Sequence, residues 1–594
     1  MAMFFMVMTT SIAGVYLSYA AFDAQLARRS IDQEKLRIAA EGALDYGIVK
    51  LRAMTLYHQF SLPRDGLQML LDDVVEPDVL GDYVYEGPEG QDGFKISVDS
   101  EPISGVITQG FAVSDDGTLG RYQVFTITAG AKNPVTGNSA VLKQTVQTIG
   151  LPLIRYGVFY EDDLEINPGP NMSFAGPVHC NADMYLKPGA NLYFYDRVTA
   201  HGNMYRHRKD TTESGGYVGI NNANDAEVAM TIDSHSSSWM AQALNLWQGR
   251  VLSGAHGVER LSPPISDLDT PHDLIERMLA TNDPNYHIET EAEKYMNKAS
   301  LIIRVATNGV LTAIDSLGSN LTYRFTNAVL VTNSMYSGMP IWAKTSNFYR
   351  FATNGGSGAY STTVTNFYDA REHVYLRPVD IYLDQLLKAV PELTNATYSI
   401  ADGRGVVYIT RDDPDGTNGV RPVLRLRNMG TIPLSGFSIA SDLPIYLEGN
   451  YNIASNRGPS FVAGDAVTML SVNWQDARSA AAMSARVASN TTYNVIIITG
   501  NTETTPGHYN GGLENVMRFL EDWSGKTVTF RGSVIDLWYS EIANAPWIDP
   551  GGSGYYNAPT RNYGYDTIYR TVVPPGMTHV FGLEEVQWSE GVWD

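Results

Sequence analysis

The chain has 594 residues, enough for several domains and a large buried core. Its formal net charge is −22 while charged residues make up only 18%, which argues against a general nucleic-acid binder with its basic face. One cysteine, Cys180, excludes an intrachain disulfide and a thiolate zinc cluster; it is expected as a small buried core residue rather than a bridge between subunits. Low charge density with 54 Gly, 35 Tyr and many Asn, Thr and Ser resembles the composition of secreted β-rich surface proteins.

Residues 1–57 read as one unbroken helix with two solvents. Residues 1–22 carry no charged side chain and span roughly 33 Å as a helix, enough to cross a hydrocarbon core. From Asp23 charges of alternating sign appear, and Leu36, Ala40, Ala43, Gly47, Leu51 and Met54 follow at steps of three or four. That is an amphipathic stripe aimed at a soluble domain. A secretory signal peptide fits poorly, because no Lys or Arg precedes Arg28. A plain membrane anchor needs only the apolar half. Gly14, Thr9, Thr10, Ser11 and Ser18 suit close helix–helix packing better than a Leu-rich anchor does. The side chains expected to face lipid or a filament core are Met1, Phe4, Phe5, Met6, Val7, Met8, Ile12, Val15, Leu17 and Phe22.

Residues 18–51, with Arg28-Arg29 and then Ala39-Ala40-Glu41-Gly42-Ala43-Leu44, resemble the PilX-type N-terminal region of type IV pilus minor pilins. The resemblance covers 34 of the 594 residues. It implies a helix that first anchors the subunit in the inner membrane and later packs in the core of an extracellular filament. One departure is Phe5, where major pilins carry a Glu that pairs with a neighbour's N-terminal amine. No leader for a prepilin peptidase is present, so Met1 is a candidate for the mature first residue.

Residues 58–157 read as a small β-domain. A polar connector over 62–92 with a helical turn at 67–75 leads to strands at Phe94–Val98 and 122–128. The cluster Asn133-Pro-Val-Thr-Gly-Asn138 joins 124–129 to 140–149 as a hairpin. An internal repeat follows in 158–215. Leu164, Ile166, Pro168, Gly169, Asn171, Phe174 and Val178 recur as Met184, Leu186, Pro188, Gly189, Asn191, Phe194 and Val198, and Met204 starts a third copy. A period of 20 with short strands and Gly/Asn turns predicts β-solenoid rungs.

The same grammar returns over 405–540, at 445–450, 497–501 and 529–533, with further strands at 434–438 and 466–470. Residues 216–404 read as long insertions with helical pieces at 271–279 and 381–390 and β-rich stretches at 300–314 and 320–332. Asp412 to Gly416 reads as a hairpin loop between 406–410 and 423–427. Residues 513–523 read as a helix, and 541–594 as a Gly-, Pro- and Tyr-rich irregular tail. The stretch 509–532 resembles large pilus-associated proteins that join a PilX-like helix to a solenoid. The predicted fold class is therefore α+β, mainly β: a long pilin-like helix, a small β-domain and a discontinuous β-solenoid with long insertions.

No metalloprotease, phosphate-loop, dinucleotide or nucleophile-elbow motif occurs. No catalytic residue, cofactor or metal is expected. His179 and His201 read as solvated rung-edge residues, and Asp162-Asp163 and Asp412-Asp413-Pro-Asp415 as turns, Asn418 standing where a calcium loop wants Gly. Asn171, Asn320, Asn395 and Asn490 match the glycosylation sequon only as often as an Asn-rich chain would.

The reading that follows is a structural subunit of a type IV pilus-like filament, membrane-anchored before assembly and then at the cell surface. Its expected partners are copies of itself, the inner membrane and the pilus assembly machinery. A minor pilin or tip adhesin gripping glycans or cell surfaces is the alternative, with Trp239, Trp247, Trp342, Tyr349, Tyr360, Tyr368, Tyr555 and Tyr556 as contact residues. A polysaccharide-active solenoid enzyme using Asp465, Asp476 and Asp536 is the third.

Overall fold

The computed structural model describes residues 1–58, 68–69, 71–78, 83–86, 90, 92–98, 106–108, 111–113, 119–263, 265, 269–307, 310–322, 325, 330–331, 341–342, 349–351, 367–394, 405–413, 420–547 and 554–590. Asn395, Tyr360, Asp415, Gly416 and Asn418 lie outside the described residues, as do the side chains of Trp342 and Tyr349. The chain divides into two compact units. One comprises residues 1–116, 120–150 and 581–594; the other comprises 117–119 and 151–580.

The first unit begins with a single helix, Ala2–His58, of 57 residues. At 1.5 Å per residue it is about 85 Å long. Its polar residues do not break it. The Thr9, Thr10 and Ser18 hydroxyls each donate to the carbonyl four residues back, at 2.7–2.8 Å, so none needs an outside partner. In the second half Leu36, Ala40, Ala43, Leu44 and Leu51 are buried. They pack on Ile96, Phe125, Ile127, Leu142 and Val146 of an antiparallel sheet.

The heart of that sheet is a hairpin of two 14-residue strands, Leu119–Lys132 and Ser139–Pro152. Val84–Tyr85 and Phe94–Val98 pair with the first strand. The hairpin turn is shaped by Asn133, whose side chain accepts from the Val135 and Thr136 N–H groups, and by Gly137 at φ 75°. The C-terminal strand His579–Glu590 joins Ser139–Pro152. Among the described residues of the tail expected to be irregular, Thr560–Gly564 and His579–Glu590 are strands. Its final strand repairs a sheet edge hundreds of residues earlier, a pairing with no local sequence signal.

The second unit is mostly β and is built from parallel ladders. In an 11-stranded sheet the order runs Val251–Leu252, Val198–Ala200, Val178–Cys180, Val158–Tyr160, Val534–Tyr539, Ile496–Asn501, Phe461–Ala463, Ser438–Ala440, Val406–Arg411, Leu301–Val305 and Leu311–Asp315. The first three repeat copies are in register: Val158, Val178 and Val198 pair, as do Leu164, Met184 and Met204. Each step is 20 residues. The early strands continue the late ones through Val158 paired with Val534.

A second ladder carries Val374–Tyr382, Val420–Arg427, Ile445–Glu448, Val467–Leu470 and Met517–Phe519, and a third carries Met172–Phe174, Asn191–Phe194 and Tyr217–Asn221. Thr491–Asn494, Thr527–Arg531 and Thr560–Gly564 form another. Residues 216–404 thus supply strands to these ladders at both ends. Side chains on successive parallel strands stack on one another; the Phe174 and Phe194 rings lie 5.4 Å apart and 20° from parallel.

Several local expectations differ from the structure. Val406–Arg411 and Val420–Arg427 belong to different sheets and do not pair as a hairpin. The predicted strand at 434–438 is displaced to Ser438–Ala440. Over 513–523 the helix is one turn, Leu513–Val516, and then the chain becomes the strand Met517–Phe519. Pairing of that strand with Val467–Met469 outweighs its helix propensity. At 271–279 only Pro271–Leu274 is helical, as a 3-10 turn, and the helix near 381–390 begins at Leu383.

Candidate functional site

The residues singled out for a membrane or filament core stand in the open. Met1, Phe4, Phe5, Met6, Val7, Met8, Ile12, Val15, Leu17 and Phe22 range from 51% to 101% exposed. Burying one large apolar side chain is worth about 1.5–3 kcal/mol, so leaving these ten largely uncovered forgoes on the order of 10 kcal/mol or more. An exposed apolar surface of this size marks an interaction site. The helix is long and apolar enough to cross a membrane by length and composition, the test that membrane anchors and signal sequences both meet. The same helix is fixed to its own sheet farther along. Asp32 accepts from Asn133, Thr136 and Asn138 of the hairpin turn at 2.7–2.8 Å. The Thr136 hydroxyl above all, with the two amides, holds the Asp32 carboxyl below its usual range.

The sequence-nominated acids do not form one site. Asp476 accepts from Arg425 at 2.6 Å and from Trp474 at 2.8 Å. Arg425 is 1% exposed and also makes a two-pronged pair with Asp380 at 2.6 and 2.9 Å. That is a buried structural network. Asp536 is buried and takes a hydrogen bond from the Asn501 amide. Burial, with Asp162 nearby, raises its pKa well above the ordinary value.

Asp465 is fully buried and accepts the backbone N–H groups of Glu541, Ile542 and Ala543 at 2.7–3.1 Å. It also meets His272 Nε2 at 3.3 Å. On the other edge of that ring Nδ1 lies 3.2 Å from Glu276 and 3.7 Å from Glu541. Burial opposes a charge on His272, yet its hydrogen bonds to Asp465 and Glu276 push its pKa up to about 10. The sequence reading nominated Asp465 but missed His272, Glu276 and Glu541. The one local signal was the four-residue spacing of His272 and Glu276.

His179, expected at a solvated edge, is buried between Thr199 and Asn181, at 2.8 and 3.0 Å. Its neighbours in the ladder are Phe159, whose ring stacks on it at 5.6 Å, and Thr199. Burial drives its pKa down to about 4. Cys180 is buried and free, its thiol pushed up to about 12 by burial. Among the aromatic residues nominated for ligand contact, Trp239, Trp247 and Tyr555 are buried in the body. Comparison with protein families, with curated proteins and with solved structures finds no match for this chain.

Proposed function

We propose that this chain is a structural subunit of a type IV pilus-like extracellular filament, assembled through its N-terminal helix. The observation that carries the reading is the change of environment along Ala2–His58. Leu36, Ala40, Ala43 and Leu51 are buried on the subunit's own sheet, while the ten apolar residues before Asp23 are uncovered. In the membrane they face lipid; in the filament they face the same helices of neighbouring subunits. The hydroxyls of Thr9, Thr10 and Ser18, already bonded to their own helix, suit both surroundings. The body is a discontinuous β-solenoid, a reading supported by parallel ladders at 20-residue register and by the pairing of Val158 with Val534. It is carried on the filament surface and has no catalytic role.

A chain lacking residues 1–22 tests this. It is expected to be folded, free of membranes and monomeric by sedimentation, because the stripe from Leu36 to Leu51 remains on its sheet. A truncated chain that still polymerised would remove the helix from the assembly.

A minor or tip subunit is the second reading. It is favoured by the bulk of the body, which spans residues 151–580 and is hard to repeat densely around a thin core. A label at the C-terminus separates the two, decorating either the whole shaft or one end.

A further inference from the structure

We propose that His272, Glu276 and Glu541 form a binding site for a divalent transition-metal ion of the zinc type. Their ligand atoms, one ring nitrogen and two carboxylate oxygens, all lie within 4.8 Å of one another. Zinc takes such atoms at about 2.0–2.2 Å, which sets them roughly 3.4 Å apart in a tetrahedron. His272 Nδ1 and the Glu276 oxygen are already 3.2 Å apart. The Glu541 side chain, 64% exposed, is free to close the remaining distance.

The support behind the histidine is what distinguishes this cluster from a surface ion pair. His272 is 3% exposed, and its far nitrogen faces the fully buried carboxylate of Asp465. An entering metal ion displaces the Nδ1 proton that otherwise meets Glu276, while Nε2 keeps its proton on Asp465, so the Nδ1 lone pair then faces the ion between Glu276 and Glu541. Metal-bound histidines are held in this way by an outer carboxylate. Asp465 also binds the backbone N–H of Glu541 at 2.7 Å, so one buried acid positions two of the three ligands. Trp538 packs edge to face on the ring at 5.7 Å and 83°, fixing its plane.

Charge argues in the same direction. Three carboxylates converge on one imidazole, and even an imidazolium leaves them in excess; a divalent cation offsets more. The nitrogen ligand selects a borderline metal over calcium, which prefers oxygen alone. With Glu276 40% exposed the ion enters from solvent, and water completes the coordination. Bound there, it ties the Pro271–Leu274 turn to the segment after Val534–Tyr539.

The full chain in detergent, stripped with a chelator, is titrated with zinc and with calcium against a chromogenic competitor. One saturable zinc site per chain is expected, with a rise in melting temperature that calcium does not give. The double variant Glu276→Gln/Glu541→Gln alters only solvent-accessible side chains and keeps the wild-type circular dichroism; it binds zinc at least about 10-fold more weakly. Absence of saturable zinc binding in the wild type overturns the proposal. So does a folded double variant that binds zinc as tightly as the wild type, since that binding would belong to other histidines.

Discussion

At position 183 a carboxylate oxygen accepts the backbone N–H of Asn203, while the residue's own N–H is accepted by Asp163. Asn167 does the same for Lys187, and Asn171 for Asn191. Each bond reaches one repeat onward, at a step of 20 residues. The recurrence of Asn and Asp in the repeat thus has a reason beyond turn preference. Each side chain accepts a backbone donor of the next repeat near a strand end, shared at Lys187 with the Ile166 carbonyl.

Ionisation makes a second residue-scale prediction. Burial raises Glu161, Glu514 and Glu521 from 4.5 to about 7, and Asp442 from 3.8 to about 6. A raised folded pKa contributes stability that is complete below the unfolded value and lost as pH rises through the folded one. For Glu514 that loss is on the order of 3 kcal/mol between about pH 4.5 and 7. His179, with its pKa lowered to about 4, works oppositely: its contribution is complete above 6.5 and lost as pH falls. Four carboxylates outweigh one histidine, so the melting temperature should be higher at pH 5.5 than at pH 8, with a smaller difference in Glu514→Gln. A melting temperature that is flat or rises over that range contradicts the assignment of these acids as buried and protonated.

Among the elements, the helix and the hairpin were legible because their signals are local. The apolar stripe at steps of three and four and the Asn133–Asn138 turn cluster sit within single segments. Gly47 shows how tightly the two elements fit. A Cβ there would lie 2.8 Å from the Ile127 methyl group. Gly47→Leu should therefore lift the helix from the sheet and destabilise the first unit by about 1–3 kcal/mol, read as a lower denaturant midpoint of that unit. An unchanged midpoint contradicts the close approach.

The parallel pairings were less legible. Nothing near Val406–Arg411 states that its neighbours are Ser438–Ala440 and Leu301–Val305 rather than the next strand in the chain. The apparent hairpin at Asp412 and the apparent helix over 513–523 were both local readings of segments governed by distant partners. The 20-residue repeat escaped this difficulty because its period itself reveals the stacking distance. The His272–Glu276–Glu541 cluster had no such period, and its members meet only once the ladders assemble.

At the scale of the molecule, a long helix with an uncovered apolar half is joined to a large, mostly β body, and a net charge of −22 accompanies both. Such charge opposes close packing of many copies at low ionic strength. In the proposed filament, burial of the ten uncovered side chains between neighbouring helices, at about 25 cal/mol per Å² of apolar area, is what opposes that repulsion. The most direct measurement is electron microscopy of the purified full-length chain after detergent removal at moderate salt. Ordered helical filaments with a core of parallel helices, absent from the chain lacking residues 1–22, are the predicted result. Dispersed particles held one by one in lipid through the same helix would contradict a filament subunit and leave a membrane-anchored monomer.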